Sequence, residues 1–514
     1  MTRRKFLYSG ILASAVGVAL RTVTLIFAAY ISRTVGAEGV GLNTLIISAY
    51  GFALTFATSG INLTTTRLVA SHMGEGRLDG IAPTLRGAAI YALAFSGAAT
   101  AVLAGLSGFF ATVCLGDTRA VIPLQVLSVS LIPSAMLGVI SGYFVARRAV
   151  VRNSLIQLFS QAVRIAVTVA MLIAIAERGV TAAVLAICMG VALSELLSCV
   201  FAAVLFAFDR ARLHKDGARG VSISPVAEMA MPLALSAYVR SGLLSVEHSI
   251  IPRRLRDRGD SPADALSSFG GLHGMALPMV IYPMTPLSSF ATLLMPEFAE
   301  SEGAGDSARM SRIARSAISL TLGYATLAAV LLFVFSEDLG YAVYGSYSAG
   351  YFISVLAPVV PIMYVDHVVD SMLKGIGEQV YSMWVNIIDS ALSVLLVWLL
   401  IPALGIEGYA IVIIVMEAFN FALSYIRLSR RVRISVDPVS AFVIPLFSAT
   451  VSALAVMGLF AEGSSMPAWV VASKLVFSVC CFAAVLIPLS STYRRLSARK
   501  KNTERCHKRV AEDE

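Results

Sequence analysis

The side chains that could do chemistry in this sequence are charges stranded inside long apolar runs. Arg21 is the only charge in residues 6–31. A central Arg costs about 2.5–3.5 kcal/mol on insertion scales, so its guanidinium should face protein or water rather than lipid. Arg240, Glu247 and His248 fall in RSGLLSVEH, with Arg240 and Glu247 two turns apart on one helical face. They read either as an intramembrane ion pair or, at Glu247, as a proton or cation site. His273 lies early in the next run and reads as a hydrogen-bonded interior residue. Asp366, Asp370 and Lys374 repeat at i, i+4, i+8 beside His367, forming a self-neutralising strut or an ion-coupling stripe. Glu195, Asp389 and Glu417 are single acids deep in apolar runs with the same two readings. Arg164 and Lys474 read as structural.

These charges have to be held by membrane helices. Of the 514 residues, 57% are hydrophobic and 14% charged, against about 25% charged in soluble proteins. Mean hydropathy is +0.80. The first run is too long for a signal-peptide core of about 7–15 residues, so it is expected to be a retained span. Fourteen candidate spans can be drawn, from 6–31 and 40–66 to 468–489, with no loop long enough for a soluble catalytic domain. The fold class expected is therefore all-α and polytopic. No Walker A, HExxH or GxSxG pattern is present, so the sequence offers no case for an enzyme. The six Cys have no metal-ligand spacing and read as packing residues, and no metal site is expected.

Lys and Arg set an orientation. They crowd the N-terminus, the even-numbered loops and the tail, while the odd-numbered loops hold only Arg33, Arg119, Arg178, Arg253, Arg254, Arg256 and Arg258. Both termini are expected to be cytoplasmic. The run 253–258 resists this rule: either the span count fails there or the loop folds back into a cavity. The net charge of +9 follows from this loop bias and does not point to nucleic acid. The basic tail, 492–514, is expected to touch anionic lipid.

The chain also repeats itself. Gly41-Leu42 recurs as Gly271-Leu272, Pro133 as Pro361, and Glu177-Arg-Gly179 as Gly405-Ile-Glu-Gly408, at offsets of 230, 228 and 229. The expectation is two parallel six-helix lobes, 1–220 and 221–434, with two further helices in 435–491. Lobes with an even number of spans share one orientation, and transporters of this construction bind substrate between the halves. Span eight holds Pro278, Pro283 and Pro286, which interrupt its hydrogen-bond ladder. It should line the cavity, either as a flexing hinge or as a static kink.

The mid-span Arg21, then ISRTVGAEGVGL from Ile31, then ATSGIN leading into TRLVA, resembles the polysaccharide-transport branch of the multidrug/oligosaccharidyl-lipid/polysaccharide (MOP) flippase superfamily. Within it the likeness is to the stage V sporulation protein B and lipid-linked oligosaccharide flippases. The resemblance implies a V-shaped, multidrug-exporter-like pair of lobes working by alternating access. It also implies a substrate with an undecaprenyl-diphosphate tail and a glycan or glycopeptide head. Related lipid II flippases use cavity Arg residues on spans one, two and eight. Arg21 matches the first, span two has no Arg before Arg67, and span eight offers His273 instead. The cavity set expected is Arg21, Arg240, Glu247, His248 and His273, with ion coupling at Asp366, Asp370, Lys374 or Glu195. No cofactor is implied beyond a coupling ion (Na+ or H+) or the membrane potential. The setting implied is a bacterial plasma membrane, with the protein working as a monomer in cell-wall, capsule or spore-cortex synthesis. The rivals are a cation-coupled multidrug antiporter and a non-transporting scaffold of envelope assembly.

Overall fold

The structure is a computed structural model that describes residues 3–75, 77–210, 223–459 and 467–513. The described residues are overwhelmingly helical, with no strand among them. Twelve helical stretches are long and apolar enough to cross a membrane. The first of them, Ala19–Gly74, has 56 residues. At about 1.5 Å per residue it is far longer than one ~30 Å crossing requires. It turns at Gly36, whose φ of 74° is open to glycine and strained for other residues, so this stretch makes two crossings. The 35-residue helix Ser224–Arg258 is also long enough to cross but is not among the twelve that are both long and apolar enough, so thirteen of the fourteen expected crossings are matched by length and hydropathy together.

The principal helices are α1 (Arg3–Thr58), α2 (Ile61–Gly74), α3 (Ile81–Gly105), α4 (Val121–Val129), α5 (Leu131–Ala146), α6 (Val150–Ile175), α7 (Val180–Arg210) and α8 (Ser224–Arg258). They continue with α9 (Pro262–Phe269), α10 (Thr285–Gly303), α11 (Ser307–Val334), α12 (Tyr347–Leu356), α13 (Val360–Gly375), α14 (Gln379–Leu404), α15 (Ile406–Arg431), α16 (Ile444–Leu459) and α17 (Ala468–Asp513). Short π and 3-10 turns join several of them. Side chains of the tail from residue 494 lie outside the described set.

Two compact units emerge, Met1–Met275 with Asn386–Val412, and Ala276–Val385 with Ile413–Glu514. The lobe boundary drawn at residue 220 falls in 211–222, outside the described residues. In the first unit, Ile61, Ala88, Tyr91, Ala135, Val139 and Val226 form one core cluster. In the second, Phe298, Ala314, Val368, Met372 and Leu428 are among the residues of another. Apolar side chains also cover the outside, as lipid requires. Phe208 is 70% exposed while the next residue, Asp209, is 4% exposed, so at the end of α7 the hydrocarbon points outward and the carboxylate inward.

The repeat is visible in the backbone. Leu106 and Phe335 leave the helix at φ near −103° and −102°. A short helix and a π turn follow in each copy, ending at left-handed Gly116 (φ 69°) and Gly345 (φ 68°). Asp117 and Ser346 then cap the next turn by accepting from Arg119 N and Ala349 N. Every pair is 229 residues apart. So are α6 and α14, of 26 residues each. The left-handed glycines after them, Gly179 and Gly405, are 226 apart because the first copy carries the extra turn Ala176–Arg178. Gly179 therefore corresponds to Gly405 and not to Gly408.

The sequence pairing of Gly41 with Gly271 is also one residue out. A Cβ on Gly41 would lie 2.0 Å from the Leu266 carbonyl oxygen, and one on Gly270 would lie 2.2 Å from that of Ala37. Ala37 and Leu266, like Gly41 and Gly270, are 229 apart. Equivalent positions touch reciprocally, which is how a two-fold axis makes a contact.

Span eight is built in pieces: α9, a π turn (Gly270–Ala276), a short helix (Leu277–Ile281), a 3-10 turn (Tyr282–Met284) and α10. Pro278, Pro283 and Pro286 sit at the starts of the last three pieces. In this interrupted ladder the Val280 and Pro283 carbonyls accept from the hydroxyls of Tyr364 (2.6 Å) and Tyr324 (2.7 Å).

Candidate functional site

In the first unit, α1 and α8 cross antiparallel along a seam of hydroxyls. Tyr238 meets Ser59. Thr55 donates to Ser241 Oγ at 3.2 Å, and Ser245 donates to the Ser48 carbonyl at 2.7 Å. His248 Nδ1 lies 3.0 Å from Ser48 Oγ. The spacing of 238, 241, 245 and 248 is the three-or-four repeat of one helical face. Small hydroxyl residues let two membrane helices approach while satisfying one another's polar groups.

At one end of this seam lies a buried polar cluster. Glu247 is 7% exposed and His248 5%. Glu247 Oε1 accepts from Ser393 Oγ of α14 at 2.9 Å. The rings of His248 and His273 stand edge to face with centroids 4.2 Å apart. His273 shares a hydrogen bond of 3.0 Å with the Tyr409 hydroxyl of α15 and stacks on Phe269 at 5.4 Å. The π turn that carries His273 also brings Gly270 and Gly274 against α1. Asp389, one turn before Ser393, lies within electrostatic range of both Glu247 and Arg240.

The structure thus brings Glu247, His248 and His273 together, with Arg240 on the same helix. The ion pair considered for Arg240 and Glu247 does not form among the described residues; the carboxyl has a serine instead. Arg240 is exposed, as is Arg21 on α1. One turn beyond Arg21, Thr24 accepts from Gln161 of α6 at 3.2 Å. Glu195 is committed to Arg164 at 2.9 Å and accepts from Ser134 at 3.1 Å. In the second unit, Asp370 pairs with Lys374 at 2.5 Å, and Asp366 and His367 precede it on α13. Lys474 of α17 pairs with Asp338 at 2.8 Å and is 5% exposed.

Ser48, Ser393 and Tyr409 escaped the sequence reading. Serines carry no signal among so many, and Tyr409 is 136 residues from its partner. The run 253–258 proves to be neither a loop nor an inserted segment. It is the end of α8, which continues past its apolar part. Arg254 lies over the Trp398 ring at 4.5 Å, and Arg256 donates to the Gly116 carbonyl at 2.9 Å. An aromatic face and an orphan loop carbonyl are favourable partners for guanidinium.

Comparison with known proteins fits this architecture. A family model described as "Polysaccharide biosynthesis protein" matches residues 7–248, and one described as MatE matches residues 267–399. Stage V sporulation protein B of Bacillus subtilis (strain 168) is 24% identical over 428 residues, covering 80% of this chain and 82% of that protein. Among solved structures, the lipid II flippase MurJ in an inward closed conformation superposes with a TM-score of 0.72 at 11% identity. It covers 95% of this chain and 99% of its own. An inward-facing multidrug resistance MATE family transporter of the MOP superfamily gives 0.63 at 14% identity, over 81% of this chain and 98% of that one.

Proposed function

We propose that the chain is a member of the MOP flippase superfamily and carries an undecaprenyl-diphosphate-linked oligosaccharide or peptidoglycan precursor from the inner to the outer leaflet by alternating access. Relatives named for lipid II flipping and for sporulation support an envelope or spore-cortex role. Both termini face the cytoplasm in this reading, and the membrane potential or a coupling H+ or Na+ drives the cycle.

The observation that carries it is the state of Glu195. It is the only acid deep in an apolar run of the first repeat, and Arg164 neutralises it at 2.9 Å. A cationic substrate would find no open carboxylate there, whereas Arg21 and Arg240 stand exposed within their spans. Arg binds two phosphate oxygens at once through its planar fork. Asp370, tied to Lys374, is likewise a poor coupling group. A second reading, a multidrug antiporter, draws on the MatE match and on the acids Glu247 and Asp389 in the other repeat.

The test is reconstitution in liposomes with a fluorescent undecaprenyl-diphosphate saccharide. A charge-assisted hydrogen bond contributes ~1.5–3 kcal/mol, so Arg21→Ala and Arg240→Ala should each slow flipping by roughly 10–100-fold while inserting normally. Wild-type rates in both variants would remove the diphosphate role. Cation-gradient-driven efflux of a cationic dye, without saccharide flipping, would reverse the order of the two readings.

A further inference from the structure

We propose that His248, packed edge to face with His273, is a proton-operated lock on the α1–α8 seam, closed when both imidazoles are neutral and released when His248 takes up a proton. The lock presumes the alternating-access reading above and adds what opens this seam. Its other polar ties, through Ser48, Thr55, Ser59, Tyr238, Ser241 and Ser245, are hydroxyls and a carbonyl that do not titrate near neutral pH.

The argument rests on hydrogen-bond geometry. A neutral imidazole has one N–H donor and one acceptor nitrogen. His248 spends Nδ1 on Ser48 Oγ, and its Nε2 is buried with no partner among the described residues. His273 spends Nδ1 on Tyr409 and is hemmed in by Phe269 and His248. A second proton on His248 would make a cation with an unsatisfied N–H, 4.2 Å from another imidazole. Burial and crowding both oppose that.

From α1 the pair meets Ser48, while Tyr50 turns away to Ser130 at 2.8 Å. From α8 come Arg240 and Glu247, the latter held by Ser393 of α14. The charge on α14 is Asp389, and α15 presents Tyr409. None of these carboxylates bonds to either imidazole among the described residues.

Water supplies the missing acceptor only when α8 and the π turn part from α1. A proton therefore binds the parted state better than the closed one, and acid shifts the population toward it. An imidazole in water titrates near about 6.5, so one such site favours the parted state about tenfold more at pH 5.5 than at pH 7.5. The same movement must separate Gly41 from Gly270, so release would break the reciprocal contact between the two repeats.

Hydrogen–deuterium exchange of the full chain in nanodiscs, with no substrate, tests this. Labelling times at pH 5.5 and 7.5 are scaled for the intrinsic exchange rate. In wild type, residues 37–55 and 262–275 should exchange about tenfold faster at pH 5.5. His248→Asn, which keeps a hydrogen-bonding group near Ser48, should abolish the difference, with His248→Gln as the substitute if that variant is not recovered. Glu247→Gln should retain it. The lock is overturned by equal protection of wild type at both pH values. It is equally overturned if the pH response survives in both His248 variants or vanishes with Glu247→Gln. Saccharide flipping by the same preparations separates the two readings. A normal pH response without flipping removes the substrate reading alone, and flipping without a pH response removes the lock alone.

Discussion

Each unit contains one clamp at the same point of the repeat, and the two clamps have opposite polarity. In the first, Asp209, the next-to-last residue of α7, is gripped by Arg147 and Arg152, which flank the start of α6. Tyr143 donates to the same carboxylate at 2.9 Å, and Arg147 lies over the Tyr143 ring. In the second, the acid is Glu378, just before α14, and the arginines are Arg427 and Arg431 at the end of α15. Arg427 spans both carboxylate oxygens at 2.8 and 2.9 Å and lies over the Tyr381 ring at 5.0 Å. What the fold retains is a tie between the start of a repeat's fifth span and the end of its sixth. Which side supplies the acid is interchangeable, because attraction depends on the product of the charges. The copies differ also in depth: the Asp209 side chain is 3% exposed and that of Glu378 13%, with Arg431 at 58%.

That difference in depth ranks the expected effects. Removing one partner of a buried pair costs about 3–5 kcal/mol. Asp209→Ala should fall near the lower bound, roughly 3 kcal/mol, because Arg147 and Arg152 keep about a third of their surface in solvent. Thermal unfolding in detergent would measure it. Exchanging polarity sharpens the comparison: Asp209→Arg combined with Arg152→Glu copies the second clamp into the first and should recover at least half the loss. A double variant no better than Asp209→Ala would show that position, and not only sign, is fixed.

Next in size is the contact where the repeats meet. Gly41→Ala and Gly270→Ala each drive a methyl into a backbone carbonyl, which overpacking values place at about 1–3 kcal/mol. A reciprocal contact requires the two losses to be nearly equal. The double variant should cost less than their sum, since one separation of the helices relieves both clashes. A large inequality would mean that only one side of the crossing is tight.

Much of this fold was legible beforehand, for a physical reason. Spans announce themselves because about 20 consecutive apolar residues have few other uses, and prolines and left-handed glycines mark the repeat because few residues replace them. The Pro133–Pro361 and Gly41–Gly271 matches bracketed its period, each one position off the 229-residue register and in opposite directions, the second because Gly270 adjoins Gly271. The clamps were illegible because their acid and base exchange places, so residue identity gives no alignment. The hydroxyl seam was illegible because Ser48, Ser245 and Ser393 look like any other serine. Arg253, Arg254, Arg256 and Arg258 misled the loop count because α8 runs on beyond its apolar stretch. The polar cluster was half read: Glu247, His248 and His273 stood out as charges and imidazoles, and their partners did not.

The smallest effect separates charge from packing in the shallower clamp. The Arg427 guanidinium bonded to Glu378, with Arg431 beside it, holds that carboxyl below the usual carboxylate range. A depressed value in the folded protein stabilises it above the unfolded value of about 4.3, and the contribution is lost as pH falls through the folded value. Because Arg427 and Arg431 are a third to more than half exposed, screening limits the contribution to ~0.5–1 kcal/mol. Wild type should therefore be slightly more stable than Glu378→Gln at pH 7, with the gap closing below about pH 4 as the carboxylate takes up its proton. Glutamine has nearly the same shape and can still accept from Arg427, so a gap that persisted into acid would have to come from packing around Tyr381. In that case the two clamps would share an arrangement but not a source of stability.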